Sequence, residues 1–278
     1  MKRLLPWLFL FAGPAFAAGL TDTDAVPHLG EQGRAAYRQF LAGAPHRAFA
    51  IAPGGAWGWV AESESTDTAA EQALANCQGQ GRHTCVVYAV DSTPSFDSKR
   101  WVALWSPYKN TAAAAAAPVG MARGQRFPDL AFASPEGKPV KLSDFRGRVT
   151  VLHFWGSWCP PCQREMPDLA RLVKRMEKNR DVRFVLLQVR EDFAAASAWA
   201  KPHGADLPLY DSGTKNSSDD SLRLVDGGRL KDRDVAKAFP STYVLDKHGI
   251  VIFSHAGPVT GWEQYAPFLE HAAVNSGK

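Results

Sequence analysis

Two cysteines three positions apart carry the most evident chemistry of the chain, in Val149-Thr-Val-Leu-His-Phe-Trp-Gly-Ser-Trp-Cys-Pro-Pro-Cys162. The apolar run before them lacks a turn former, which predicts a buried strand. Gly156-Ser157 ends that strand, and Cys159-Pro-Pro-Cys162 opens a helix. Cysteines at i and i+3 of a first helical turn lie within disulfide reach. Cys159 falls at the helix N-terminus, where unpaired N–H groups and the dipole favour a thiolate. Pro160 and Pro161 fit that turn because its N–H groups have no intrahelical partner. Such a pair is suited to open and close as dithiol and disulfide.

A metal is the competing use of two such thiols. A closed zinc site needs four ligands, and Cys159 and Cys162 supply two with no matching second pair, so no metal ligands are assigned. Copper(I) held by two thiolates, a metallochaperone role, stays open.

The elements that must position the pair occupy the second half of the chain. Residues 127–132 and 139–142 bracket Ser134-Pro-Glu-Gly137 as a hairpin, and Leu142-Ser-Asp-Phe-Arg-Gly147 leads into the cysteine-bearing strand. The helix after Cys162 keeps Met166, Leu169, Leu172, Val173 and Met176 on one face, with a kink expected at Pro167. Residues 182–189 read as a buried strand, which makes a βαβ unit and a parallel pair. A helix over 193–201, a hairpin of 241–246 with 250–255, and a closing helix over 261–274 complete the pattern. Residues 212–238 are polar and charged around Gly227-Gly228, expected as an exposed loop or short hairpin beside the site.

The first half differs in texture. Residues 31–41 suggest a short helix, and 47–52 with 56–61 a hairpin around Pro53-Gly54-Gly55. A helix capped by Thr66 or Asp67 is expected to run to Asn76, followed by strands at 85–90 and 101–105. Cys77 and Cys85 then sit at a helix end and a strand start, placed to staple a domain too small for a large core. A second redox pair is the alternative, although the wider spacing lacks helix-start activation. Trp57, Trp59, Trp101 and Trp105 either fill that small core or form a binding face. The Ala-rich stretch 111–118 reads as a linker with transient helical character.

With 278 residues, 45% hydrophobic and 22% charged, the chain has the composition of a two-domain globular protein. Lys2-Arg3, the apolar run 4–16 and Ala15-Phe-Ala17 have the form of a cleaved leader, the run being too short for an anchor helix. Removing Lys2 and Arg3 leaves 30 basic against 28 acidic residues, a balance that gives no argument for nucleic acid. No later stretch is long enough to span a membrane, so an exported, periplasmic protein in an oxidising compartment is expected. The boundaries read as leader 1–17, extension 18–45, small α+β domain 46–107, linker 108–123 and second domain 124–278.

Phe127-Pro-Asp-Leu, Leu142-Ser-Asp-Phe-Arg-Gly, Phe154-Trp-Gly-Ser-Trp-Cys-Pro-Pro-Cys, Glu165-Met-Pro and Phe239-Pro-Ser-Thr-Tyr-Val-Leu-Asp together resemble a TlpA/ResA-type thioredoxin over about residues 124–276. The resemblance implies an α/β thioredoxin fold, a central mixed sheet flanked by helices. It also implies thiol–disulfide exchange with no cofactor beyond the Cys159–Cys162 pair. Residues 48–91 resemble, more loosely, a small secreted bacterial domain of unassigned function, which implies a fold and no activity.

Carried over, Cys159 matches the nucleophile, an exposed low-pKa sulfur, and Cys162 the resolving thiol. Pro240 matches the cis-proline facing the site, and Trp158, Pro160, Phe239 and Pro240 the substrate-contacting positions. Glu165 matches a glutamate near the dithiol; it can pass a proton to Cys162 or simply suit the helix dipole. His153 stands where thioredoxins carry a buried acid; it is a proton partner or a satisfied core histidine. The resemblance implies a monomer that reduces exported protein partners, in cytochrome c maturation or copper-site assembly, recharged by a membrane thiol donor. The same site working as an oxidant is the alternative.

Overall fold

The computed structural model describes residues 20–203 and 207–278; the expected leader, residues 1–17, lies outside them.

The first half forms an α+β layer. Helix α1 (Glu31–Ala42) precedes strands β1 (Ala48–Ile51) and β2 (Trp57–Val60), joined through Gly54 and Gly55, both at positive φ where a side chain would be strained. Helix α2 (Thr66–Gln80) follows, its first turn capped by Ser65, whose hydroxyl accepts from Thr68 N. With β3 (Val86–Val90) and β4 (Thr93–Pro94) the antiparallel sheet has the order β2-β1-β3-β4. Small residues let α2 lie directly on this sheet: Ala48, Ala50, Ala69 and Ala73 are buried between them. A Cβ on Gly58 would come within 2.3 Å of Cys77 N, so only glycine permits that approach. A disulfide joins Cys77, inside α2, to Cys85 just before β3.

One expectation for this half is corrected. Residues 101–105 are helical, with α3 (Ser98–Val102) running into a 3₁₀ turn over Ala103–Trp105. The Asp97 carboxylate accepts from Lys99 N and Arg100 N, and that cap outweighs the β-propensity of the tryptophans. The Ala-rich stretch holds a short helix, α4 (Thr111–Ala115), capped by Asn110 and followed by Ala117, with Ala114 and Ala117 packed on Ile250. Small apolar residues give it a face to bury.

The second half has the thioredoxin fold, organised around the cysteine-bearing stretch. Its strands and helices run β5 (Leu130–Ala133), β6 (Pro139–Lys141), β7 (Val149–Trp155), α5 (Pro160–Met176), β8 (Val182–Gln188), α6 (Phe193–Ala200) and β9 (Leu209–Tyr210). They continue as β10 (Ser221–Leu224), β11 (Arg229–Lys231), α7 (Asp232–Val235), β12 (Ser241–Leu245), β13 (Val251–Ala256) and α8 (Ala266–Asn275). The central sheet has the order β13-β12-β7-β8-β9. Strands β7, β8 and β9 are parallel, β12 runs antiparallel to β7, and β13 runs antiparallel to β12. All seven residues of β7 are buried, as a strand covered on both faces requires. Helix α5 continues through Pro167 as a single element.

The stretch expected as a loop beside the site is built into a second sheet. β10 and β11 form a hairpin, and β10 pairs with β5, giving the order β11-β10-β5-β6. Leu222 is buried there in a second core that includes Leu152, Phe154 and Val185 of the central sheet.

The two halves share one core. Trp101 and Trp105 are buried in the seam between the halves: Trp101 meets Phe96 of the first half and Phe268 of the second, and the Trp105 ring lies 4.8 Å from Phe268 and 5.0 Å from Phe253. His28, buried and at positive φ, packs edge-on against Trp101, Tyr265 and Phe268. His83 stacks on Phe253 at 4.5 Å. Polar links cross the same seam: Tyr108 Oη lies 2.9 Å from His271 Nδ1, and Gln264 Oε1 accepts from His28 N. Trp57 and Trp59 are partly buried at its margin.

Candidate active site

The site forms where β7 gives way to α5. Cys159 is the N-cap residue of α5, in extended backbone, with Pro160 and Pro161 in the first turn. Its Sγ accepts from Cys162 N at 3.3 Å, the one peptide donor that the two prolines leave near it. The two cysteines are disulfide-bonded with their Cα atoms 5.2 Å apart. Cys162 is fully buried, and Cys159 is only 3% exposed, which corrects the expected open position of its sulfur. In the disulfide form Cys159 belongs to the core that includes Trp155 and Met166, so its sulfur has little contact with solvent.

Behind Cys162, buried polar groups converge on Glu165. This residue lies one helical turn along the same face of α5 and is 5% exposed. Its Oε2 accepts from Val259 N at 2.8 Å and from the Trp262 indole N–H at 3.3 Å. Its Oε1 lies 3.2 Å from His153 Nε2, an ion-pair separation without the alignment of a hydrogen bond. His153 is fully buried on β7, and its Nδ1 lies 3.0 Å from Thr242 Oγ1 on the paired strand β12. A buried carboxylate beside a buried imidazole, a turn from a thiol, can hold or pass one proton.

The opposite side of the dithiol is an open apolar edge. Trp158 is 44% exposed, and its ring meets that of Phe239 edge-on at 5.5 Å. The Phe239–Pro240 peptide bond is cis, and Pro240 is buried at the start of β12. Among the described residues, no group of three or more His, Cys, Asp or Glu side chains is placed to hold a metal ion.

The residues singled out from sequence fall into one neighbourhood: Cys159, Cys162, Glu165 and His153 on β7 and α5, and Trp158, Pro160, Phe239 and Pro240 along the edge. Cys77 and Cys85 lie apart from it, in the first half. Sequence reasoning missed Glu191, whose carboxylate accepts from both the backbone N–H and the hydroxyl of Ser157, two residues before the nucleophile. It also missed Trp262, Val259 and Thr242 as partners of Glu165 and His153. No sequence signal marks them, because each reaches the site from an element more than thirty residues away.

Comparison with known proteins places the second half. A family model described as Redoxin matches residues 122–266. The Thioredoxin-like protein YneN of Bacillus subtilis is 29% identical over 142 residues, which cover 51% of this chain and 76% of that protein. The Thiol-disulfide oxidoreductase ResA of a Bacillus cereus strain is 30% identical over 148 residues, 53% of this chain and 76% of ResA. Among solved structures, a thiol:disulfide interchange protein of the thioredoxin family from Chlorobium tepidum TLS superposes with a TM-score of 0.40. It is 21% identical, covering 53% of this chain and 95% of that one.

Proposed function

Because the chain belongs to the Redoxin family, and within it to the ResA-like thiol–disulfide oxidoreductases, we propose that Cys159 and Cys162 reduce disulfides in exported partner proteins. The observation that carries this reading is the Cys159 sulfur at the head of α5, accepting the Cys162 N–H, with a buried carboxylate one turn behind.

The reaction runs in two displacements. The Cys159 thiolate attacks one sulfur of the partner disulfide, forming a mixed disulfide and expelling the other partner sulfur as a thiolate. Cys162 gives its proton to the Glu165 carboxylate and attacks Cys159 Sγ. This releases the second partner sulfur and leaves the Cys159–Cys162 disulfide. Two electrons pass to the partner, whose thiolates take up protons from water or from Glu165. His153, 3.2 Å from Glu165, offers a second resting place for that proton. A dithiol donor at the membrane resets the pair; no further cofactor enters these steps.

Trp158, Pro160, Phe239 and Pro240 serve as the surface on which the partner strand lies, with the exposed Trp158 ring set against Phe239 beside the dithiol. The reductive direction is supported by the lack of peptide donors from Pro160 and Pro161, which argues against the strongly stabilised thiolate of an extreme oxidant. Cleavage after Ala17 and residence in the periplasm belong to the same reading, as do partners in cytochrome c maturation or copper-site assembly. Action as a monomer and a structural role for the Cys77–Cys85 bond complete it.

Cys162→Ser tests the proposal by arresting the first displacement. Incubated with periplasmic extract, the variant is expected to accumulate mixed disulfides through Cys159 that dissolve on reduction. Absence of such adducts, or their persistence in a Cys159→Ala/Cys162→Ser double variant, would overturn it.

A further inference from the structure

Arg190, just beyond β8, holds a left-handed backbone at φ 58°, a conformation that a bulky residue rarely adopts without external support. The support is visible. Its Nε donates to Asp232 Oδ2 at 2.5 Å and its Nη2 to Asp232 Oδ1 at 2.8 Å, a two-pronged pair with a carboxylate only 1% exposed. Asp232 is the first residue of α7, in the segment that joins the β10–β11 hairpin to Phe239 and Pro240.

Each end of this pair leads to one wall of the apolar edge. On the Arg190 side, Val189 O accepts from the Trp158 indole N–H at 2.9 Å, and Glu191 grips Ser157. Thr214 Oγ1 in turn donates to Glu191 O. On the Asp232 side, α7 is tied to β12 by Tyr243 Oη donating to Val235 O, and Arg233 lies over the Phe239 ring at 5.4 Å. We propose that the Arg190–Asp232 pair is a positioning clamp that sets the placement of Trp158 against Phe239–Pro240, and so the fit of an extended polypeptide across the apolar edge beside Cys159. The inference deepens the proposed function and rests on it.

A clamp of this kind acts on polypeptide substrates and leaves small disulfides indifferent, because only a strand long enough to touch both walls senses their spacing. Arg190→Gly removes the cation while allowing φ 58° without strain. Arg190→Gly/Asp232→Leu also removes the buried carboxylate that the first change leaves unpaired. Reduced protein is mixed with insulin or with 2-hydroxyethyl disulfide, and its oxidation is followed by quenching and thiol trapping. The expected result is an insulin rate lowered about tenfold or more in both variants, with the small-disulfide rate within about twofold of wild type. The double variant is expected to regain thermal stability without regaining the insulin rate.

An insulin rate that returns with stability in the double variant would reduce the pair to a structural tie. Unchanged insulin rates in Arg190→Gly would overturn the clamp while leaving the dithiol reading intact. Failure of the wild-type protein to reduce insulin at all would overturn both.

Discussion

Mild acid tests how the two halves are held together, because the buried His28 and the partly buried His83 and His255 sit in the seam between them. His28 is 1% exposed with neither ring nitrogen hydrogen-bonded. Burial, and then the nearby His83 and His255, push its pKa from 6.5 down to about 3. His83 is pushed down to about 4, chiefly by burial and then by His255, against the pull of a hydrogen bond to the Ser254 backbone, with Arg123 adding repulsion. Burial lowers His255 as well, partly opposed by its backbone bond to Pro258 and the charge of Glu165. In the folded protein these rings stay neutral, whereas the unfolded chain takes up protons near pH 6.5. Stability is therefore present above pH 6.5 and is lost as pH falls from there toward 3–4.

At 1.36 kcal/mol per pH unit, each of His28 and His83 withholds about 2 kcal/mol from folding at pH 5, about 4 kcal/mol together. Urea unfolding at pH 7, 6 and 5 reads this directly. His28→Asn, which tolerates the left-handed backbone at φ 63°, removes one titrating ring. The wild type is expected to lose about 2 kcal/mol more than His28→Asn between pH 7 and 5. Carboxylates common to both proteins cancel in the difference. Equal pH dependence in the two would show that His28 is not held neutral in the seam.

Glu165→Gln keeps the shape and removes the proton acceptor. First attack by Cys159 should be little changed, while resolution of the mixed disulfide slows about tenfold or more near neutral pH, as measured by quenched-flow trapping. Equal resolution rates would remove Glu165 from the proton path. Replacing Cys77 and Cys85 together by alanine should cost about 2–3 kcal/mol in denaturant unfolding, the scale for a short closed loop, and leave the exchange rate unaltered. A parallel loss of exchange rate in the folded variant would give that bond a part in the chemistry.

Much of the site was legible because the signals that encode it are local. The uninterrupted apolar run before Gly156 marked β7, and Pro160-Pro161 marked the start of α5 with Cys159 at its head. Spacing along that helix placed Glu165 behind Cys162. Aromatic content misled at residues 101–105, where Asp97 capping two N–H groups starts a helix, and composition at 111–118 could not show that Ala114 and Ala117 pack on Ile250. Trp101 and Trp105 could be recognised as large apolar groups, but which half would cover them is a tertiary fact. The same holds for Glu191 on Ser157 and Arg190 on Asp232, which lie 34 and 42 residues apart. No periodicity states which two loops will meet.

The most direct test is the rate of alkylation of Cys159 by iodoacetamide as a function of pH, in the reduced Cys162→Ser variant with the Cys77–Cys85 bond intact. A sulfur at the head of α5, accepting the N–H of residue 162, should titrate clearly below the ordinary thiol value of about 8.5 and react faster than a free cysteine at neutral pH. A midpoint at or above about 8.5, or a thiol that the reagent does not reach, would contradict nucleophilic attack by Cys159.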